Sequence, residues 1–169
     1  MIRLAGERVA LRPLVFEDVP LLTAIAEAPE VAEWWGDLDE GFPFTDEPDT
    51  VRLTITHDAT VIGLIQYGEE NEPDYRFAGI DIFLDPKVRG QGSGPDALRT
   101  LVQYLTRELG HHRITVDPAV DNAAAIRSYE KVGFEPVGVL RSAWRDRQGR
   151  WRDLLLMDLI VEEALPPSV

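Results

Sequence analysis

Residues 80–94 read Ile80-Asp81-Ile82-Phe83-Leu84-Asp85-Pro86-Lys87-Val88-Arg89-Gly90-Gln91-Gly92-Ser93-Gly94. Ile80, Ile82 and Leu84 alternate with Asp81 and Phe83, the period of a strand with one apolar face. Pro86 ends that strand, because proline cannot donate to a ladder. Three glycines then fall within five residues, Gly90 to Gly94, and Pro95 follows in a position that suits the first turn of a helix. A glycine-rich loop of this kind turns successive backbone N–H groups toward one point, and the helix behind it adds its positive end. Strand, glycine loop and helix together predict an anion cradle suited to a pyrophosphate.

Such a cluster can also be only a tight turn. The loop lacks a Gly-Lys-Ser/Thr ending, which excludes a P-loop. The glycine spacing is not Gly-x-Gly-x-x-Gly and no βαβ unit opens the chain, which argues against a dinucleotide fold.

Toward the N-terminus, Val9–Leu14 reads as a strand with Val9 and Leu11 inward. Asp18 reads as the cap of a helix carrying Leu21, Leu22, Ile25 and Ala26, and Pro29 restarts a short helix that ends in Trp34-Trp35-Gly36. Adjacent tryptophans point apart, so one packs and the other can wall a pocket. Asp37–Asp49 holds Asp37, Asp39, Glu40, Asp46, Glu47 and Asp49 with no basic residue. That is a solvated loop or the lid of a site for a polycation. Val51–Thr56 and Val61–Tyr67 form a hairpin around His57–Thr60, and Glu69–Asp74 makes a second acidic turn beside the same strands.

Toward the C-terminus, Ala97, Leu98, Leu101, Val102, Leu105 and Leu109 recur at helical spacing over Asp96–Leu109, closed by Gly110. His111 and His112 read as polar residues leading into a strand over Arg113–Asp117, with no third metal ligand at a recognised spacing. Asp121 caps a helix over Asn122–Val132, on which Asn122, Ile126 and Tyr129 share a face. Asn122 and Tyr129 either bond the backbone locally or face a ligand beside the glycine loop. Phe134–Trp144 and Trp151–Ile160 form a long hairpin. Its run Leu154-Leu155-Leu156-Met157 suggests cover on both faces. The tail Leu165–Val169, with two prolines, is expected to be loose.

The 169 residues suit a single domain spanning 1–169. There is no cysteine, which removes disulfides, thiolate metal sites and a cysteinyl acyl-enzyme. No apolar h-region opens the chain and no run is long enough to span a bilayer, so a cytoplasmic location is expected. The formal net charge of −13 argues against nucleic acid and anionic membrane as partners. It suits either simple solubility or attraction of a cationic substrate.

Arg89, Gly92 and Gly94 match Arg-x-x-Gly-x-Gly, and the loop resembles the acyl-CoA pyrophosphate loop of the GNAT N-acetyltransferases. The helix with Asn122 and Tyr129, followed by Glu130-Lys131-Val132-Gly133-Phe134, carries the same resemblance independently. So does the order strand, two helices, three strands, helix, strand, helix, two strands. This implies an α/β (α+β) GNAT fold, with a central mixed, mostly antiparallel sheet splayed at the acetyl-CoA site and flanking helices. Gly79-Ile80-Asp81, Asp117-Pro118 and Asn122-x-x-x-Ile126-Arg127-x-Tyr129 look more narrowly like the aminoglycoside 6'-N-acetyltransferases. The long hairpin with Trp144 and Trp151 departs from the shorter end of those enzymes.

The resemblance implies acetyl-CoA as acyl donor, no metal, direct transfer to an amine, and a monomer or homodimer. Ile82, Phe83 and Leu84 would meet the acyl chain through their backbone. Gln91, Gly92, Ser93 and Gly94 would give N–H groups to the pyrophosphate, with Arg89 as a charge partner, and Asn122 would hold the pantetheine. Asp81 is the candidate base and ammonium anchor, Asp117 a second anchor, and Tyr129 the donor to the departing thiolate. Trp34, Trp35 and Glu70 would complete the substrate site. For Asp81 the bland reading is an ion pair with Arg76 or Arg113; for Asp117 it is a turn residue before proline. The alternatives are an acyltransferase for a protein N-terminus, a polyamine or a siderophore lysine, and a non-catalytic acyl-CoA sensor.

Overall fold

The computed structural model describes residues 1–44 and 47–162; Asp46 of the acidic loop and the tail Leu165–Val169 lie outside the described residues. Eight strands form one sheet: β1 (Leu4–Ala5), β2 (Ala10–Pro13), β3 (Thr50–His57), β4 (Thr60–Glu70), β5 (Phe77–Leu84), β6 (Arg113–Val116), β7 (Glu135–Arg145) and β8 (Trp151–Ile160). Their spatial order is β1-β2-β3-β4-β5-β6-β8-β7, antiparallel throughout except where β5 meets β6. The helices are α1 (Val19–Glu27), α2 (Pro29–Trp35), α3 (Ser93–Arg107) and α4 (Ala123–Val132). This is the element order read from the sequence, with the short β1 added.

Alternation along β4 and β5 sends side chains to two different cores. Ile65, Tyr67, Ala78 and Ile80 join Ala97, Leu98, Leu101 and Leu105 of α3 and Tyr129 of α4 in one cluster. Leu64 and Phe83 join Leu22, Ile25, Ala26 and Val31 of α1 and α2 in another. Phe83 shares the face of Asp81, yet it is buried, so the centre of the sheet is covered on both sides. Gly63 stands opposite Leu84 in the β4–β5 register. A Cβ there would come within 2.2 Å of the Phe83 carbonyl oxygen, so only glycine permits this close approach.

The parallel contact is short. β4 and β5 pair from Gly63–Leu84 to Glu70–Phe77, whereas β5 meets β6 only at Ala78–Ile114 and Gly79–Thr115. Beyond Gly79 the two strands part, and β5 runs on toward the glycine loop with its β6-side edge free of a ladder. That divergence is the splay expected from the resemblance.

Several local readings change. Asp18 precedes α1 but makes no side-chain cap bond. Its carboxylate instead accepts two hydrogen bonds from Arg12 at 2.7 Å and one from Thr54 Oγ1 at 2.8 Å. Burial opposes its charge, and these bonds outweigh burial to hold its pKa below the usual carboxylate range. Helix α3 begins at Ser93, three residues before the expected Asp96, because Gly92 takes a left-handed conformation (φ 85°) and the helix starts directly from the loop. His111, read as a polar residue leading into a strand, is wholly buried, with Nε2 2.6 Å from Glu69 Oε2. The expectation that Leu154–Met157 is covered on both faces holds only for Met157. The edge strand β7 leaves Val137, Val139 and Leu140 exposed. No helix among the described residues is long and apolar enough to cross a membrane.

Candidate active site

The splay opens a cleft of about 920 Å³ between β5, α2, the glycine loop and α4. Gly90, Gly92, Ser93 and Gly94 line it, as does Asn122. The first N–H groups of a helix have no intrahelical partner, so Ser93 and Gly94 at the start of α3 offer amides to an anion in the cleft. Gly94 is closely flanked: a Cβ there would lie 3.2 Å from Leu84 Cδ1. Arg89, Arg127 and Lys131 also line the cleft. Arg89 is anchored by a 3.0 Å bond from Nη2 to the Glu30 carbonyl of α2. A cradle of free amides with three cations around it suits the phosphates of an acyl-CoA.

Asn122 is the cap of α4, the place assigned to Asp121 in the sequence reading; its Oδ1 accepts from Ala125 N at 3.3 Å. The local bond expected on the bland reading is therefore present, and the amide NH2 remains to face the cleft. Asp121, which also lines the cleft, pairs with Arg152.

The cleft also carries the carboxylates Glu30, Asp37, Asp39, Glu47, Asp81, Asp117 and Asp121. Asp81 projects from β5 where the ladder to β6 ends. It pairs with neither Arg76, which donates to the carbonyls of Leu109 and Gly110, nor Arg113, which bonds Asp158. Its partner is Gln66 across the β4–β5 register, with Nε2 donating to Oδ2 at 3.1 Å. Asp81 can be reached from the cleft, but the walls strip much of its hydration. That desolvation raises its pKa above the ordinary value; Gln66 works against the rise and the charge of Glu47 adds to it.

Asp117 follows β6 on a segment strapped to β8. Leu155 N donates to the Pro118 carbonyl at 2.7 Å, and Val120 N to the Asp153 carbonyl at 3.1 Å. Desolvation, and then the nearby charge of Asp81, push the Asp117 carboxyl up to about 6. Tyr129 is buried on α4, its ring against Phe134. Burial first, then Asp81 and Asp117, push its ionisation up, so its hydroxyl remains a neutral donor.

Trp34 and Trp35 both line the cleft, and Trp35 sets its ring edge against Phe83 at 4.7 Å between centroids. Ile82, Phe83 and Leu84 line it as well. Two of the expected site residues are not brought there. Gln91 lies exposed outside the lining, and Glu70 sits at the far end of β4, its Oε1 accepting from Glu72 N at 2.9 Å. The second acidic turn is thus remote from the cleft.

Sequence reading missed Arg127 and Lys131 as cations of the cleft, and three further residues. Gln66 and Arg52 depend on the register of β3 and β4 against β5. Trp144 depends on an irregularity: Leu140 pairs with Leu154 but Trp144 with Arg152, and Ser142 between them has φ 49°. The extra residues on β7 turn Ala143 and Trp144 into the cleft. The hairpin tip also reaches the acidic loop, where Arg147 Nε lies 2.7 Å from Asp37 Oδ1. No group of three or more His, Cys, Asp or Glu placed to hold a metal ion occurs among the described residues.

A family model described as the acetyltransferase (GNAT) domain matches residues 8–135. The chain is 27% identical to an aminoglycoside N(6')-acetyltransferase type 1 of Klebsiella pneumoniae, covering 80% of this chain and 78% of that protein. Among solved structures it is similar to Mycobacterium smegmatis RimJ in complex with CoA-disulfide, with TM-score 0.82, 21% identity, 99% of this chain and 90% of the other. It is also similar to spermidine N-acetyltransferase from Vibrio cholerae in complex with CoA and spermine, with TM-score 0.78, 21% identity, 95% of this chain and all of the other (100%).

Proposed function

Because the chain belongs to the GNAT acetyltransferase family, we propose that it is an acetyl-CoA-dependent N-acetyltransferase whose acceptor is the 6'-amine of an aminoglycoside antibiotic, which it thereby inactivates. The observation that carries this reading is that basic and acidic side chains line one cleft together with the glycine loop. Glycine-loop amides and the cations Arg89, Arg127 and Lys131 stand for the donor, and the carboxylates Asp37, Asp39, Glu47, Asp81 and Asp117 for a polycationic acceptor.

Acetyl-CoA supplies the thioester acyl group. Gly92, Ser93 and Gly94 hold its pyrophosphate, Arg89 balances charge, Asn122 faces the pantetheine, and the free edge of β5 from Ile82 to Leu84 offers backbone bonds to the acyl arm. An acceptor amine arrives as an ammonium ion. Asp81 anchors it and takes its proton, and a carboxylate with a raised pKa is the better base for that task. Asp117 binds the same or a neighbouring ammonium, and a bound cation between the two carboxylates relieves their mutual repulsion. The amine attacks the thioester carbonyl and the C–S bond breaks; Tyr129 donates a hydrogen bond to the departing thiolate, which takes up a proton released by the amine. Trp34, Trp35 and Trp144 present flat apolar walls to the sugar rings. Placement of the two reactants supplies most of the rate gain.

A second acceptor, a polyamine, is supported by the same acidic lining. Release of CoA thiol with kanamycin, tobramycin, gentamicin and spermidine separates the two. Turnover of the aminoglycosides is expected, with kcat/KM falling about 100-fold or more in Asp81→Asn while acetyl-CoA binding is retained. Turnover of spermidine alone would reassign the acceptor, and acetyl-CoA binding without turnover of any amine would overturn the enzymatic reading.

A further inference from the structure

A line of hydrogen bonds runs across three strands into the cleft. Glu47 Oε1 lies 3.1 Å from Arg52 Nη2, Arg52 Nε donates to Gln66 Oε1 at 2.9 Å, and Gln66 Nε2 donates to Asp81 Oδ2 at 3.1 Å. We infer that Gln66 is the positioning residue of Asp81, and that Arg52 decides which end of the Gln66 amide meets it. The inference rests on the role proposed above for Asp81.

The argument is one of donors and acceptors. A free glutamine can turn its amide either way. A guanidinium has five donors and no acceptor, so beside Arg52 only the amide oxygen can face it. The NH2 is then left pointing at Asp81, which as a carboxylate can only accept. Arg52 cannot easily swing away, because its Nη1 also donates to the Pro43 carbonyl at 3.2 Å and its side chain is only 11% exposed. A cation on the oxygen polarises the amide and strengthens the bond at its other end. The arrangement lends Asp81 part of the benefit of a positive charge, while Glu47 offsets the charge of Arg52, which itself lines the cleft.

The other acidic groups near Asp81, Glu47 from the acidic loop and Asp117 from the end of β6, oppose its ionisation, and the neutral hydroxyl of Tyr129 on α4 adds no charge. Desolvation by the walls acts in the same sense, and Gln66 counters it. Without Gln66, Asp81 would hold its proton to a higher pH and lose its competence as a base under mildly acidic conditions. The carboxylate would also lose the contact that fixes its rotamer.

Asp81 can be followed directly by carboxyl-carbon NMR of protein labelled at aspartate, its resonance assigned by its loss in Asp81→Asn. In Gln66→Leu the titration midpoint of Asp81 should rise by about one pH unit, a roughly tenfold change in acid dissociation. Arg52→Met should move it in the same direction, and Asp158, paired elsewhere with Arg113, should stay in place. If Gln66→Leu does not fold, Gln66→Met serves in its stead, since it matches the glutamine in length. With any acceptor that turns over, the acid limb of kcat/KM should shift by the same amount while the alkaline plateau is kept. An unmoved Asp81 midpoint in a folded Gln66 variant overturns the inference, as does an equal loss of kcat/KM at every pH. The NMR arm needs no turnover, so it separates this inference from the choice of acceptor.

Discussion

Tyr129 keeps its proton because everything around it resists charge: burial, and the carboxylates Asp81 and Asp117. A hydroxyl so placed stays protonated and can donate a hydrogen bond, but it is a weak acid. Tyr129→Phe should lower kcat about 100-fold with little change in KM for either reactant, measured by steady-state kinetics. An unchanged kcat would leave the tyrosine a packing partner of Phe134. At this scale the sequence discloses those residues that break a pattern. Asp81 interrupts an apolar strand, and Tyr129 and Asn122 interrupt an apolar helix stripe. Gln66 breaks nothing. Its importance comes from standing opposite Asp81 in a register that the chain settles only when the strands pair, and from a guanidinium one strand further on. Trp144 is hidden for a similar reason, since a bulge decides which way it faces.

At the scale of elements, α3 does more than carry the glycine loop. Asp96 in its first turn is buried, and its carboxylate accepts from the backbone of Glu7, Arg8 and Val9 at 3.1, 2.8 and 3.0 Å. One side chain therefore clasps the turn between β1 and β2 to the start of α3. Asp96→Ala leaves those N–H groups without their acceptor and should cost about 2–4 kcal/mol of stability in urea unfolding. A loss under about 0.5 kcal/mol would mean that water replaces the carboxylate without cost. The helix itself was readable from its apolar spacing, but its first residue was not. A glycine at φ 85° can open a helix inside a loop that looks irregular in one dimension. The partner of Asp96 is invisible for another reason: the acceptors and donors lie nearly ninety residues apart.

For the whole molecule, the formal charge of −13 becomes informative only once its location is known. Part of it lines the cleft and part decorates the remote turn at Glu69–Asp74. The part in the cleft should draw in a polycation through long-range attraction, which salt screens. Raising ionic strength from about 0.05 to about 0.5 M should increase KM for tobramycin by about tenfold and leave kcat nearly constant. An insensitive KM would assign the acidity to solubility alone. Element order and fold class follow from the succession of periodicities along the chain. Strand order does not, because β7 and β8 exchange places in space, and neither does the two-sided cover of β5.

The free edge of β5 has a consequence outside catalysis. From Ile80 onward its amides and carbonyls toward β6 lack a ladder partner, in the middle of a sheet rather than at a guarded border. Any extended peptide that enters can complete that ladder, including a stretch of another copy. An acyl donor lying along the strand would shut this opening, acting as a plug against clumping as well as a reagent. Concentrated stocks should accordingly keep longest when the donor is present.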